Sequence, residues 1–222
     1  MNILYEDSDV IVCHKPASIA TQTARIGEKD MLSELKNYLY STSGHDSYVG
    51  LIHRLDQGVE GILVFAKTAS AAADLSRQIT EHTMKKSYYA VVCGDIKQQS
   101  ATLTDYLMKN GRDNLSKVVS ANTKGAKRAD LSYECIRSDE VRNLHVLRIN
   151  LITGRHHQIR VQLAHQGLPL VNDFKYGYHG DKIGTDGIAL CAYKLCFHHP
   201  VTQREMEFEI KPAAGVFLQI GE

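Results

Sequence analysis

No apolar run in the 222 residues approaches the roughly 18 needed to cross a bilayer as a helix, so a helical membrane protein is not expected. Met1 to Asp9 carries Glu6, Asp7 and Asp9 and lacks a basic start before an apolar core, which is not the form of a signal peptide. Cytoplasmic residence is the resulting expectation. The chain has no C-x-x-C. Its five cysteines (Cys13, Cys93, Cys135, Cys191 and Cys196) are scattered and odd in number, the pattern of reduced, mostly buried thiols. Also missing are a nucleotide-binding glycine motif, an internal repeat, a low-complexity tract and any compositional shift that would mark a linker. One domain spanning residues 1–222 is the simplest expectation.

What is present is an ordinary globular composition, 43% hydrophobic and 23% charged, with a net charge of only +1. The total hides a division. Met1 to Glu60 has five basic residues (Lys15, Arg25, Lys29, Lys36, Arg54) against nine acidic, or −4, whereas Tyr106 to His165 has eleven against five, or +6. Such a split suits a basic face for a phosphate backbone, although a solvated surface of uneven charge gives the same count. Between Lys109 and Arg128 stand Lys109, Arg112, Lys117, Lys124, Lys127 and Arg128 among glycine and asparagine breaks, which predicts a mobile basic loop able to grip a phosphate backbone.

Short apolar runs predict strands at Ile3–Tyr5, Val10–Cys13, Ile62–Ala66, Ser87–Gly94, Ala101–Leu107, Lys117–Ala121, Ala129–Ile136 and Leu144–Leu151. Met31, Leu32, Leu35, Tyr38 and Leu39 have helical spacing behind an N-cap at Asp30. Thr68 caps a second helix running to about His82, with Ala72, Leu75 and Ile79 inward and Lys85-Lys86 near its C-terminal end, where the helix dipole favours cations. The fold class is α+β, with a mixed, largely antiparallel central sheet flanked by helices and loops. Lys15-Pro16 ends the second strand, and Lys15 by itself reads as a strand-end surface lysine.

The densest stretch is Leu51 to Lys67, where charges and glycines empty into Ile62-Leu63-Val64-Phe65-Ala66. Gly58 and Gly61 permit an irregular backbone there, so Asp56 belongs on a loop tethered to a buried strand. Asp56 and Glu60 could be read as paired glycosidase carboxylates, but such pairs sit on different elements, and Gly58 interrupts a helical register. Arg54 alone could equally form a surface salt bridge. A second dense stretch runs from Leu151 to His165. Its His156 and His157, with His198, His199, Cys191 and Cys196, might suggest zinc; adjacent histidines usually diverge, however, and the spacing is not that of a finger.

Three ordered motifs carry a family resemblance. His53-Arg54-Leu55-Asp56 with Gly61 and Phe65-Ala66-Lys67 resembles the catalytic motif of RluA-type pseudouridine synthases. Lys86, Tyr88, Ala90 and Gly94 match its second motif, and Thr153-Gly154-Arg155, His157-Gln158-Ile159-Arg160, Gly167 and Pro169 match its third. Asp173, Tyr176 and Gly177 continue the pattern, and Ala189–Tyr193 through Ile210 resembles its last two strands. Four positions depart from it: Val59-Glu60 stands for Thr-Ser, Ser18 for glycine, and Asn172 for glycine.

The resemblance implies the pseudouridine synthase fold and isomerisation of uridine in ribosomal or transfer RNA. Asp56 is then the essential carboxylate, Arg160 its guanidinium partner, Tyr88 the support for the target uracil, and Arg54 the side chain that fills the vacated stack. His53, Arg155 and Gln158 are the further substrate-binding residues expected. The chemistry needs no cofactor and no metal. A catalytic core that begins at Met1, without an S4-like N-terminal domain, acting as a monomer with no obligate protein partner, completes the expectation. A non-catalytic RNA-binding module on the same fold is the alternative.

Overall fold

The structure, a computed structural model, describes residues 2–23, 27–184, 187–213 and 215–219. Met1 and Arg25, counted above in the acidic stretch, lie outside the described residues. The chain packs as two compact units, Met1–Lys85 with Ala192–Pro212 and Lys86–Cys191 with Ala213–Glu222.

The first unit opens with β1 (Asn2–Glu6) and β2 (Val10–Lys15), antiparallel across the Asp7–Asp9 turn. Helix α1 (Met31–Ser43) starts where Asp30 accepts the Ser33 amide, and it buries Met31, Leu35 and Leu39. The two-residue β3 (Gly50–Leu51) leads through the Asp56 loop into β4 (Glu60–Ala66), every residue of which is buried. Helix α2 (Ala69–Thr80) follows, capped by Thr68. It ends at Thr80, and Lys85 already belongs to the next strand, so the cation in its last turn is Arg77, not the expected lysine pair. Leu75 faces the core as expected, but Ala71 and Gln78 are buried beside it while Ala72 and Ile79 are only partly covered.

The second unit is built on β5 (Lys85–Cys93), β6 (Ser100–Asn110), β7 (Leu115–Val119), β8 (Lys127–Asp139) and β9 (Leu144–Leu151), arranged β5-β9-β8-β6-β7. Among the described residues, these strands pair antiparallel throughout. Helix α3 (Gln158–His165) and a single 3-10 turn, Phe174–Tyr176, complete its working part. Most of β10 (Leu190–His198) and all of β11 (Glu205–Glu209) return to the first unit, whose strand order is β1-β2-β4-β10 with β11 on β10 and β3 on β4. Helix α4 (Gly215–Gln219) packs Val216 against Val91, Leu144 and Val171 in the second unit.

The basic loop expected over 109–128 is strand at 109–110, 115–119 and 127–128, with turns between. Tyr106 to Asn110 pairs residue by residue with Val119 to Leu115, and Lys127 and Arg128 open β8. Glycine and asparagine mark only the hairpin turn and the following bend, while Leu107 and Val118 pack against Val161 of α3. The basic residues are therefore displayed along an ordered ribbon.

Among the described residues none of the five cysteines forms a disulfide; Cys13 and Cys191 are buried, whereas Cys93, Cys135 and Cys196 are partly exposed. Among the described residues, no helix is long and apolar enough to cross a membrane.

Candidate active site

In the first unit the architecture converges on the main chain around Asp56. Strand β2 pairs with β4 so that Lys15 stands opposite Gly61, and Lys15 is completely buried, not the surface lysine its position suggested. Pro16 bends the chain back, and the Lys15 ammonium donates to the carbonyls of Pro16 (2.9 Å), Ile19 (2.7 Å) and Gln57 (3.1 Å). Burial pulls its pKa down to about 8, against the pull of the Asp56 and Glu60 carboxylates, which favour the charged form. On the other side of Asp56, the buried Thr21 hydroxyl donates to the Leu55 carbonyl at 2.8 Å and accepts the Leu55 amide at 3.1 Å. The Asp56 carbonyl itself accepts the Val59 amide at 3.0 Å, closing a tight turn. The backbone is thus fixed before, at and after Asp56, whose side chain is only partly covered.

Gly61 has φ +145°, and a Cβ there would lie 2.4 Å from Ala192 Cβ and 2.6 Å from its nitrogen, so the close approach of β10 excludes any side chain. The neighbouring Val59 and Glu60 are both buried, with Glu60 3.8 Å from His14 Nε2. Strand β3 covers β4 only as far as Leu51↔Phe65; beyond it, His53 Nε2 accepts the Val64 amide at 3.3 Å in place of a strand carbonyl. Arg54 is exposed, and among the described residues it forms no ion pair, which removes the salt-bridge reading.

In the second unit, Tyr88 is 6% exposed on β5, opposite Ile149, while Tyr89 is less covered, as strand alternation requires. Arg160 on α3 is buried and binds Asp173 through two bonds, Nε to Oδ2 at 2.7 Å and Nη2 to Oδ1 at 2.8 Å. Its guanidinium also lies 5.0 Å from the centre of the Tyr176 ring. Asp173 is a partner the sequence reading did not assign, although both residues stand in the matched pattern.

Gln158 is buried and committed to the Thr153 turn. Its oxygen accepts Thr153 Oγ1 at 2.8 Å and the Arg155 amide at 2.9 Å, and its nitrogen donates to the Asp130 carbonyl at 3.0 Å. Arg155 is exposed, held only through Nε to the Arg128 carbonyl at 2.8 Å.

His156 and His157 do not diverge: their rings stack with centres 3.7 Å apart, because His157 takes φ 53° at the start of α3. His156 Nδ1 shares a hydrogen bond with Ser116 Oγ (2.9 Å), His157 Nδ1 shares one with the Tyr176 hydroxyl (2.8 Å), and that hydroxyl accepts the Ser116 amide (2.8 Å). Among the described residues, the group that could hold a metal ion is Asp7, Asp9 and His199, not the histidine–cysteine set considered from sequence. There Asp7 accepts the Asp9 and Val10 amides and the Tyr5 hydroxyl, each at 2.8 Å, and pairs with His199 Nε2 at 2.8 Å.

The family described as RNA pseudouridylate synthase matches residues 9–165, a span that takes in the Asp56 loop, Tyr88 and all of α3. The chain belongs to the RNA pseudouridylate synthase family. YhcT of Bacillus subtilis (strain 168), named an uncharacterized RNA pseudouridine synthase, is 35% identical over 91% of this chain and 65% of its own length. The ribosomal large subunit pseudouridine synthase D of Vibrio cholerae is 32% identical over 94% of this chain and 66% of its own. The chain thus spans just under two thirds of the length of these curated relatives. The solved structure of human RNA pseudouridylate synthase domain containing 4 has the same fold, with a TM-score of 0.77 at 19% identity over 96% of this chain and 89% of that one. The α+β pseudouridine synthase fold expected from the motifs is the fold this chain adopts. Within the pseudouridylate synthase match, Lys15 and Thr21 are the residues that sequence reasoning undervalued. The signal available for Lys15 was the Lys-Pro pair; for Thr21 there was none.

Proposed function

We propose that this protein isomerises uridine to pseudouridine within RNA, with Asp56 as the catalytic carboxylate. The observation that carries the reading is the clamped main chain on both sides of Asp56, which holds a partly accessible carboxylate on an otherwise rigid turn.

The reaction breaks the C1′–N1 bond, turns the freed uracil, and joins C1′ to C5; the proton leaves C5 and N1 ends protonated. An ionised carboxylate serves it by attacking C1′, or by stabilising the sugar cation and moving the proton. The target nucleotide is first flipped out at a cost of a few kcal/mol. In this reading Arg54 occupies the gap, Tyr88 supports the uracil, and Arg160 is the guanidinium partner of the catalytic carboxylate, the roles the resemblance implies. His53, Arg155 and Gln158 serve the substrate, Arg155 by direct contact with phosphate and the other two by shaping the turns. The protein acts in the cytoplasm as a monomer, without cofactor or obligate partner.

Ribosomal RNA is the proposed substrate, since a relative at 32% identity bears the name of a ribosomal large subunit enzyme; transfer RNA is the second choice. Transcribed large-subunit RNA is incubated with wild type and Asp56→Asn, and pseudouridines are mapped by chemical-adduct primer extension. Wild type should create at least one new stop and Asp56→Asn none, while both bind the RNA within about threefold of each other. RNA binding without modification by wild type would make this a binding module; modification by Asp56→Asn would end the assignment of Asp56.

A further inference from the structure

Lys86 lies two residues before Tyr88 on β5, so the two side chains leave the same face of the strand, about 7 Å apart. Its side chain is half-buried, and that burial lowers its pKa with no carboxylate acting in the other direction. Among the described residues, Lys86 makes no ion pair and no hydrogen bond. A half-buried ammonium in that condition loses part of its hydration with no counter-charge to replace it. The ammonium has been given space: a Cβ at Gly154 would stand 3.4 Å from Lys86 Nζ, and the glycine leaves that volume open. The exposed Arg155 follows Gly154 directly in the chain, its Nε donating to the Arg128 carbonyl at 2.8 Å.

We infer that Lys86, over the gap left by Gly154, is a phosphate-binding residue that takes a backbone phosphodiester of the RNA beside the target nucleotide. The inference rests on the RNA reading above and deepens it, because a base against Tyr88 carries its own phosphates within one or two strand residues of that ring. A compact three-donor ammonium suits a single phosphate oxygen, and the missing Gly154 side chain is what lets the backbone come close. The free protein holds this charge without a partner, and the ligand supplies one.

The experiment compares Lys86→Met, Lys86→Arg and wild type, using oligouridine and a transcribed large-subunit RNA fragment as probes. The slope of log affinity against log salt should become shallower by about 0.7 in Lys86→Met, one phosphate contact on a single strand, and Lys86→Arg should restore it. Lys86→Met should also melt a few degrees above wild type when free of RNA, because the stranded charge is gone. A merely structural lysine would give the opposite: an unchanged salt slope and a lower melting temperature. An unchanged slope with intact modification by wild type overturns this inference and leaves the proposed function standing. Wild type failing to bind either RNA overturns both.

Discussion

Lys15 Nζ donates to the carbonyl of Gln57 at 3.1 Å, joining the end of β2 to the residue immediately after Asp56 across 42 positions of sequence. With Pro16 and Ile19 sharing the same ammonium, this lysine anchors the turn from below. Lys15→Met leaves three carbonyls without their donor and should destabilise the protein by about 1–3 kcal/mol at pH 7. Its effect on turnover should exceed its effect on RNA affinity, a split read from single-turnover rates and binding curves.

The same group gives a pH dependence of known sign. Its folded pKa, about 8, lies below the ordinary lysine value of 10.5, so between those limits the unfolded chain binds more protons and stability rises with pH. The wild-type advantage over Lys15→Met, measured by urea unfolding, should therefore widen from pH 8 to about pH 10.5, by up to about 3 kcal/mol. A constant difference would show that Lys15 keeps its proton throughout.

Arg160 and Asp173 form a buried, bidentate pair, and removing one member strands the other. Arg160→Met should lower stability by about 3–5 kcal/mol and severely impair pseudouridine formation. The double variant Arg160→Met with Asp173→Leu should recover much of the stability and none of the activity. Recovery of both would make the arginine purely structural.

Gly61→Ala forces a Cβ to within 2.4 Å of Ala192 at a φ of +145°. Both contacts are with a buried strand, where nothing flexible can yield, so destabilisation beyond about 3 kcal/mol is expected by denaturant unfolding. A stability loss below about 1 kcal/mol would mean that β10 can retreat.

RNA binding should weaken steeply with salt, because Lys109, Lys117, Lys127 and Arg128 lie on the strands of the basic ribbon. Replacing Lys109 and Lys117 together by glutamine should flatten the log–log slope by roughly 1.4, two single-strand phosphate contacts, with melting temperature unchanged. A slope equal to that of wild type would remove the ribbon from the interface.

The elements were largely legible because their periodicities are local. Strand β9 was predicted residue for residue, and Asp30 and Thr68 announced both helices of the first unit. Within 109–128 the sequence reading placed a strand at Lys117–Ala121, two residues late, and missed that Leu115–Val119 closes a hairpin on Tyr106–Asn110, because that register is set by cross-strand pairing and not by local spacing. Lys15 was misread because burial of a lysine depends on three carbonyls, two of them beyond a proline and one 42 residues away. Asp173 as the partner of Arg160 depends on the 3-10 turn folding back onto α3, which no spacing rule encodes. The site's residue types were visible; the supports beneath them were not.

Ser116 ties the β6–β7 hairpin to His156 and, through the Tyr176 hydroxyl, to His157 at the first turn of α3. The ribbon and the helix that bears Arg160 are therefore riveted at their meeting point. A force exerted on the hairpin by a passing nucleic acid strand arrives at that helix as leverage, whatever the letters of the strand.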